Sequence, residues 1–114
     1  MALTDLVVEV AGADPGPVEG VVGAAEPAFE LCALAARPPL AGVTEVVLAL
    51  RLGPAGEVTQ AAVTSRPHAG ELADCLRKQA RSLRFIEGPA RVRVRLVLEA
   101  PAPQGETAKQ YRAP

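Results

Sequence analysis

The chain has 114 residues, of which 49% are hydrophobic, 22% charged and 3% aromatic, with 12 basic residues against 13 acidic ones. That length suits a single domain, and the apolar fraction is too high for a disordered chain. The near-neutral balance offers no global positive field for nucleic acid or an anionic membrane surface, and one His, one Tyr, no Trp and two Cys leave little catalytic equipment.

Met1 to Val10 carries Asp5 and Glu9, lacks a basic cluster and has an apolar run too short for a secretory signal. Nowhere do about 18 apolar residues follow one another, so no membrane-spanning segment is expected. Two compartments are compatible with this: the cytoplasm if Met1 is the natural start, or an exported site if the domain is cut from a longer protein. Asp5 to Ala11 is short, Val-rich and followed by Gly12, which predicts a strand. Asp14 then caps a helix that has Pro15 at its first position. Val18, Val21, Val22, Ala25, Phe29, Cys32 and Ala36 keep one helical phase after it. Pro27 interrupts that phase, so either one helix kinks there or a first helix stops near Ala24 and a second starts at Pro27.

Val43 to Leu52 alternates, with Thr44, Val46, Leu48, Leu50 and Leu52 on one face and Val43, Glu45, Val47, Ala49 and Arg51 on the other. Gly53, Pro54, Ala55 and Gly56 supply the turn of a hairpin whose returning strand is Glu57 to Ser65. From Ala69 to Leu83, Leu72, Cys75, Leu76, Ala80 and Leu83 mark an amphipathic helix with Arg77, Lys78 and Arg81 outside. Phe85 and Ile86 follow as a plug. Arg91 to Glu99 alternates without a fault, Val92, Val94, Leu96 and Leu98 inward and Arg91, Arg93 and Arg95 outward. The order strand, helix, strand, strand, helix, strand predicts an α+β two-layer sandwich: one antiparallel sheet with helices on one face and the other face exposed. Residues 1–100 form this domain, and the Pro-containing stretch 101–114 reads as a flexible tail.

A long helix ending in FELCALAARPPLAG, a strand, the turn GPAGEVTQAAVTS, a helix LADCLRKQARSLRF and a closing VRVRLVLE make a specific series. Over Leu6 to Ala100 it resembles the C-terminal domain of the AgmX/PglI family of myxobacterial gliding-motility and envelope proteins, itself similar to the TonB C-terminal domain. Family members usually carry an aromatic after the first Cys, where this chain has Ala33, and an aromatic-Pro pair where it has Phe85 and Ile86. An alternative with the same element order is a ferredoxin-like sandwich, in which the last strand pairs with the first rather than with Val43 to Leu52. Cys32 and Cys75 lie on the inward stripes of two helices expected side by side, which a disulfide fits, and the resemblance implies the same pair. Two buried free thiols are the alternative in a reducing compartment. A metal site lacks a four-ligand set, and redox catalysis lacks a CxxC pair.

The resemblance implies a non-catalytic, periplasmic interaction module without cofactor, which recruits a segment of an envelope protein as an added strand. It also implies that the closing strand lies at or near a sheet edge. Arg91, Arg93 and Arg95, with Val97, would then select an acidic segment there, or else act as charges that deter aggregation. A second expectation is an intracellular adaptor or self-assembling subunit, docking through Lys109, Tyr111 and Arg112 of the tail or through a sheet-edge homodimer. His68 reads as a loop residue, since no motif sets a nucleophile or carboxylate beside it. Neither reading involves nucleic acid or insertion into a membrane.

Overall fold

The computed structural model describes residues 2–86 and 88–100. Its elements run β1 (Ala2–Ala11), α1 (Pro15–Ala24), α2 (Glu26–Ala35), β2 (Val43–Leu52), β3 (Val58–Arg66), α3 (Gly70–Arg81) and β4 (Ala90–Glu99). The sequence places the strand ends to within one residue, apart from the first three residues of β1. Among the described residues no helix is long and apolar enough to cross a membrane.

Local chemistry accounts for the breaks. Asp14 accepts the Gly16 N–H at 3.1 Å and Pro15 opens α1. Pro27 has no N–H to give to the Gly23 carbonyl, so the helix cannot pass through it unbroken. The chain instead closes α1 at Ala25, whose N–H reaches the Val22 carbonyl at 3.0 Å, and restarts as α2. The buried stripe survives the break: Val18, Val22, Ala25, Phe29, Cys32 and Ala36 are all in the core. In the hairpin turn, Gly53 N–H donates to the Glu57 carbonyl at 2.8 Å and Gly56 takes φ +83°, a left-handed conformation that glycine adopts freely. The Gly56 carbonyl accepts the Phe85 N–H at 2.9 Å, which ties the segment after α3 to the hairpin.

The sheet is antiparallel throughout, with strand order β1-β4-β2-β3. This corrects the expected position of the closing strand. β4 is interior, paired with β1 along one side and with β2 along the other. The ferredoxin-like alternative fails equally, because β4 pairs with β2 as well as with the first strand. The physical reason lies in β1: Leu6, Val8 and Val10 need a covered face, and pairing with β4 sets them against the core beside Leu96, Val94 and Val92.

The three helices cover one face of the sheet. There Val46, Leu48, Leu50 and Leu52 of β2 and Val92, Val94, Leu96 and Leu98 of β4 are buried against Phe29, Leu72, Leu76 and Ala80. Cys32 and Cys75 form a disulfide between α2 and α3, with Cα atoms 5.6 Å apart across a sequence separation of 43.

Candidate interaction surface

Among the described residues no helix covers the second face of the sheet, and the strand register orders it into rows. At one end the row is Ala11, Arg91, Arg51 and Gln60, reading across β1, β4, β2 and β3. The next is Glu9, Arg93, Ala49 and Ala62, and the third is Val7, Arg95, Val47 and Thr64. Asp5, Val97, Glu45 and Arg66 make the fourth. Each row follows from the period of two, which sends alternate side chains of every strand to this side.

The arginines are not equivalent. Arg95 Nε donates to Glu45 Oε2 at 2.7 Å, and its Nη2 completes an ion pair with the same carboxylate. Arg93 lies opposite Glu9 in register without an ion pair within 4 Å. Arg51 and Arg91 are directly opposed on β2 and β4, and neither side chain makes a hydrogen bond or ion pair with a described residue. Like charges placed directly opposite destabilise a sheet. Between these long side chains, Ala11, Ala49 and Ala62 leave a trough of about 510 Å³, and a second hollow of about 500 Å³ continues past Arg51 and Arg91 over the sheet end.

Of the residues expected to bind a partner, Arg91, Arg93 and Arg95 are exposed and Val97 is half-buried, all four on this open face. They are not at an edge, so the β4 backbone has no free hydrogen-bonding side for an added strand. Lys109, Tyr111 and Arg112 lie outside the described residues. Arg51 was legible as an outward residue of β2, but its pairing with Arg91 depends on which strands become neighbours, and no local pattern encodes that.

The free edges are β1 and β3, and they differ. β1 carries Asp5 and Glu9, has a register break between Leu3 and Asp5, and gives its Leu3 N–H to Glu30 Oε2 at 3.3 Å. Charges, bulges and side-chain caps of this kind blunt an edge. β3 has a register break near Thr59, but from Gln60 to Ser65 it pairs with β2 without interruption and carries no charge and no proline. Its outer side is engaged at the start, where Glu57 forms an antiparallel bridge with Arg84, but from Gln60 to Ser65 no backbone hydrogen bond to another described residue forms there.

His68 is exposed in the loop before α3. The neighbouring hollow of about 470 Å³ is walled by Pro38, Pro39, Leu40 and Pro67, and there Glu71 Oε1 accepts the Arg37 backbone N–H at 2.6 Å. Among the described residues no group of three His, Cys, Asp or Glu could hold a metal ion. Compared with family models, curated proteins and solved structures, the chain finds no match in any of the three.

Proposed function

We propose that this protein is a non-catalytic interaction module that recruits a segment of a partner protein as an added strand on the free edge of β3. The observation that carries the reading is the run Gln60 to Ser65: uncharged, free of proline, regularly paired on one side and paired with no described residue on the other. Outward backbone N–H and C=O groups on such a run are a template for another strand, and main-chain hydrogen bonds supply the affinity. The resemblance to the AgmX/PglI and TonB C-terminal domains supports the same mode of recruitment, and with it a cell-envelope assembly as the setting. The edge differs from the one the resemblance implies, because β1 occupies that side of β4. A bridge between Cys32 and Cys75 is at home in an oxidising compartment such as the periplasm.

Proline substitution separates the edge from the fold. Successive residues of an edge strand point their N–H alternately toward the sheet and away from it, so one of Ala61→Pro and Ala62→Pro removes an inward bond and the other only an outward donor. The expected result is that one variant loses about 1–3 kcal/mol of stability, because the facing carbonyl of β2 is left unpaired. The other keeps its unfolding midpoint and no longer binds peptides that the wild type selects from a random displayed library. If that well-folded variant binds those peptides as the wild type does, the β3 edge is not the recruiting surface. The same comparison by sedimentation velocity tests whether the edge also pairs two copies of the chain.

A further inference from the structure

We infer that the trough on the open face is a second docking site, specific for an acidic segment of a partner protein, with Arg51 and Arg91 as its carboxylate-binding pair. This goes beyond strand addition at β3, because it uses side chains of the two central strands and no free backbone edge. The first argument is the unmatched charge. Among the described residues three guanidinium groups, Arg51, Arg91 and Arg93, line the trough together with a single carboxylate, Glu9, whereas Arg95 is already neutralised by Glu45. A like-charge pair directly opposed in a sheet opposes folding, so the fold itself gains nothing from Arg51 facing Arg91. A bound carboxylate reverses that sign, because two guanidinium forks can grip it with paired charge-assisted hydrogen bonds.

The second argument is shape. The small side chains Ala11, Ala49 and Ala62 form a floor below the arginines, so an aliphatic side chain next to the carboxylate finds an apolar seat. The hollow continues past Arg51 and Arg91 over Gly12 and Pro89 at the sheet end, which gives an extended segment a path rather than a closed cavity. Charge complementarity therefore selects the occupant: a peptide stretch mixing Glu or Asp with aliphatic residues.

The test uses the oxidised full chain and a fluorescein-labelled eight-residue peptide alternating Glu and Val, with a matched peptide carrying Gln at each Glu. Fluorescence anisotropy should show the Glu peptide bound about tenfold or more tightly than the Gln peptide, with affinity falling as salt rises. Arg51→Gln combined with Arg91→Gln should lower affinity for the Glu peptide by about tenfold or more while leaving the unfolding midpoint unchanged or higher. The well-folded β3 proline variant should bind this peptide as the wild type does. Retained affinity in the double arginine variant overturns the inference, and so does a lowered midpoint, which would make the pair structural. If instead only the proline variant loses the peptide, the trough is not its site and strand addition alone stands. Equal displacement by inorganic phosphate or a single-stranded oligonucleotide would mark an anion surface without peptide specificity, and arginine-dependent self-association would assign the face to a second copy. Either result also overturns the inference.

Discussion

Reduction of the Cys32–Cys75 bridge is expected to cost roughly 4 kcal/mol, on the chain-entropy account of a loop of about 44 residues. For a domain of this size that corresponds to a fall in melting temperature of about 20 °C or more. The effect is large because of where the bridge sits. Cys32 lies on α2, between β1 and β2, and Cys75 on α3, between β3 and β4, so the link joins helices from the two halves of the chain. The core beneath them is aliphatic and short of aromatics, with Phe29 and Phe85 the two buried large rings among the described residues. Small domains of that kind have a net stability of about 5–15 kcal/mol, so the bridge is a substantial fraction of it. Calorimetry of oxidised and reduced wild type and of the Cys32→Ala, Cys75→Ala double variant checks this. The reduced protein and the double variant should melt close together and well below the oxidised form. Coincidence of oxidised and reduced midpoints would mean that α2 and α3 are held by packing alone.

Phe29→Ala should be comparably severe, with a loss of about 3–5 kcal/mol. Phe29 is fully buried on α2, with Val22 preceding it and Cys32 following on the same stripe, and it belongs to the same core cluster as the inward side chains of β2 and β4. Deleting its ring opens a cavity that the neighbouring Val and Leu side chains, fixed on a sheet, cannot collapse to fill. Phe29→Leu keeps most of the volume and should cost less than about 1.5 kcal/mol. Urea unfolding of both variants, under oxidising conditions so that the bridge is constant, measures the difference. An Ala variant with a midpoint close to that of the Leu variant would show that Phe29 is not a centre of the core.

The residues that build the core were legible in the sequence, while the make-up of the open face and of the sheet edges was legible only in part. Alternation in Val43 to Leu52 and Arg91 to Glu99 identified the buried side chains of both strands, because a sheet covered on one face imposes a period of two. The same alternation is shared by interior and edge strands of such a sheet, so it could not say where β4 stands. The signal that could have done so was in β1: Leu6, Val8 and Val10 call for a sheet neighbour, and Asp5 and Glu9 are charges typical of an edge. The helix phase through Pro27 identified the inner stripe but not the outer surface of α2, where Leu31 and Leu34 are 65% and 57% exposed while Glu30 is half-buried. Glu30 faces inward because its carboxylate accepts the Leu3 N–H, a contact 27 residues away in sequence that no local pattern encodes. Arg51 illustrates the same divide. Its outward face follows from β2 alone, whereas its opposition to Arg91 exists only once β2 and β4 are neighbours.

The proposed strand addition at β3 would make its most direct mark on the backbone. Amide hydrogen exchange on the protein alone and with a library-selected peptide bound reads that mark residue by residue. The account predicts that alternate amides within Gln60 to Ser65 exchange rapidly in the free protein and become protected on binding, while β1 amides keep their rates. Unchanged exchange along β3 in the peptide complex, or new protection confined to β1, would contradict it.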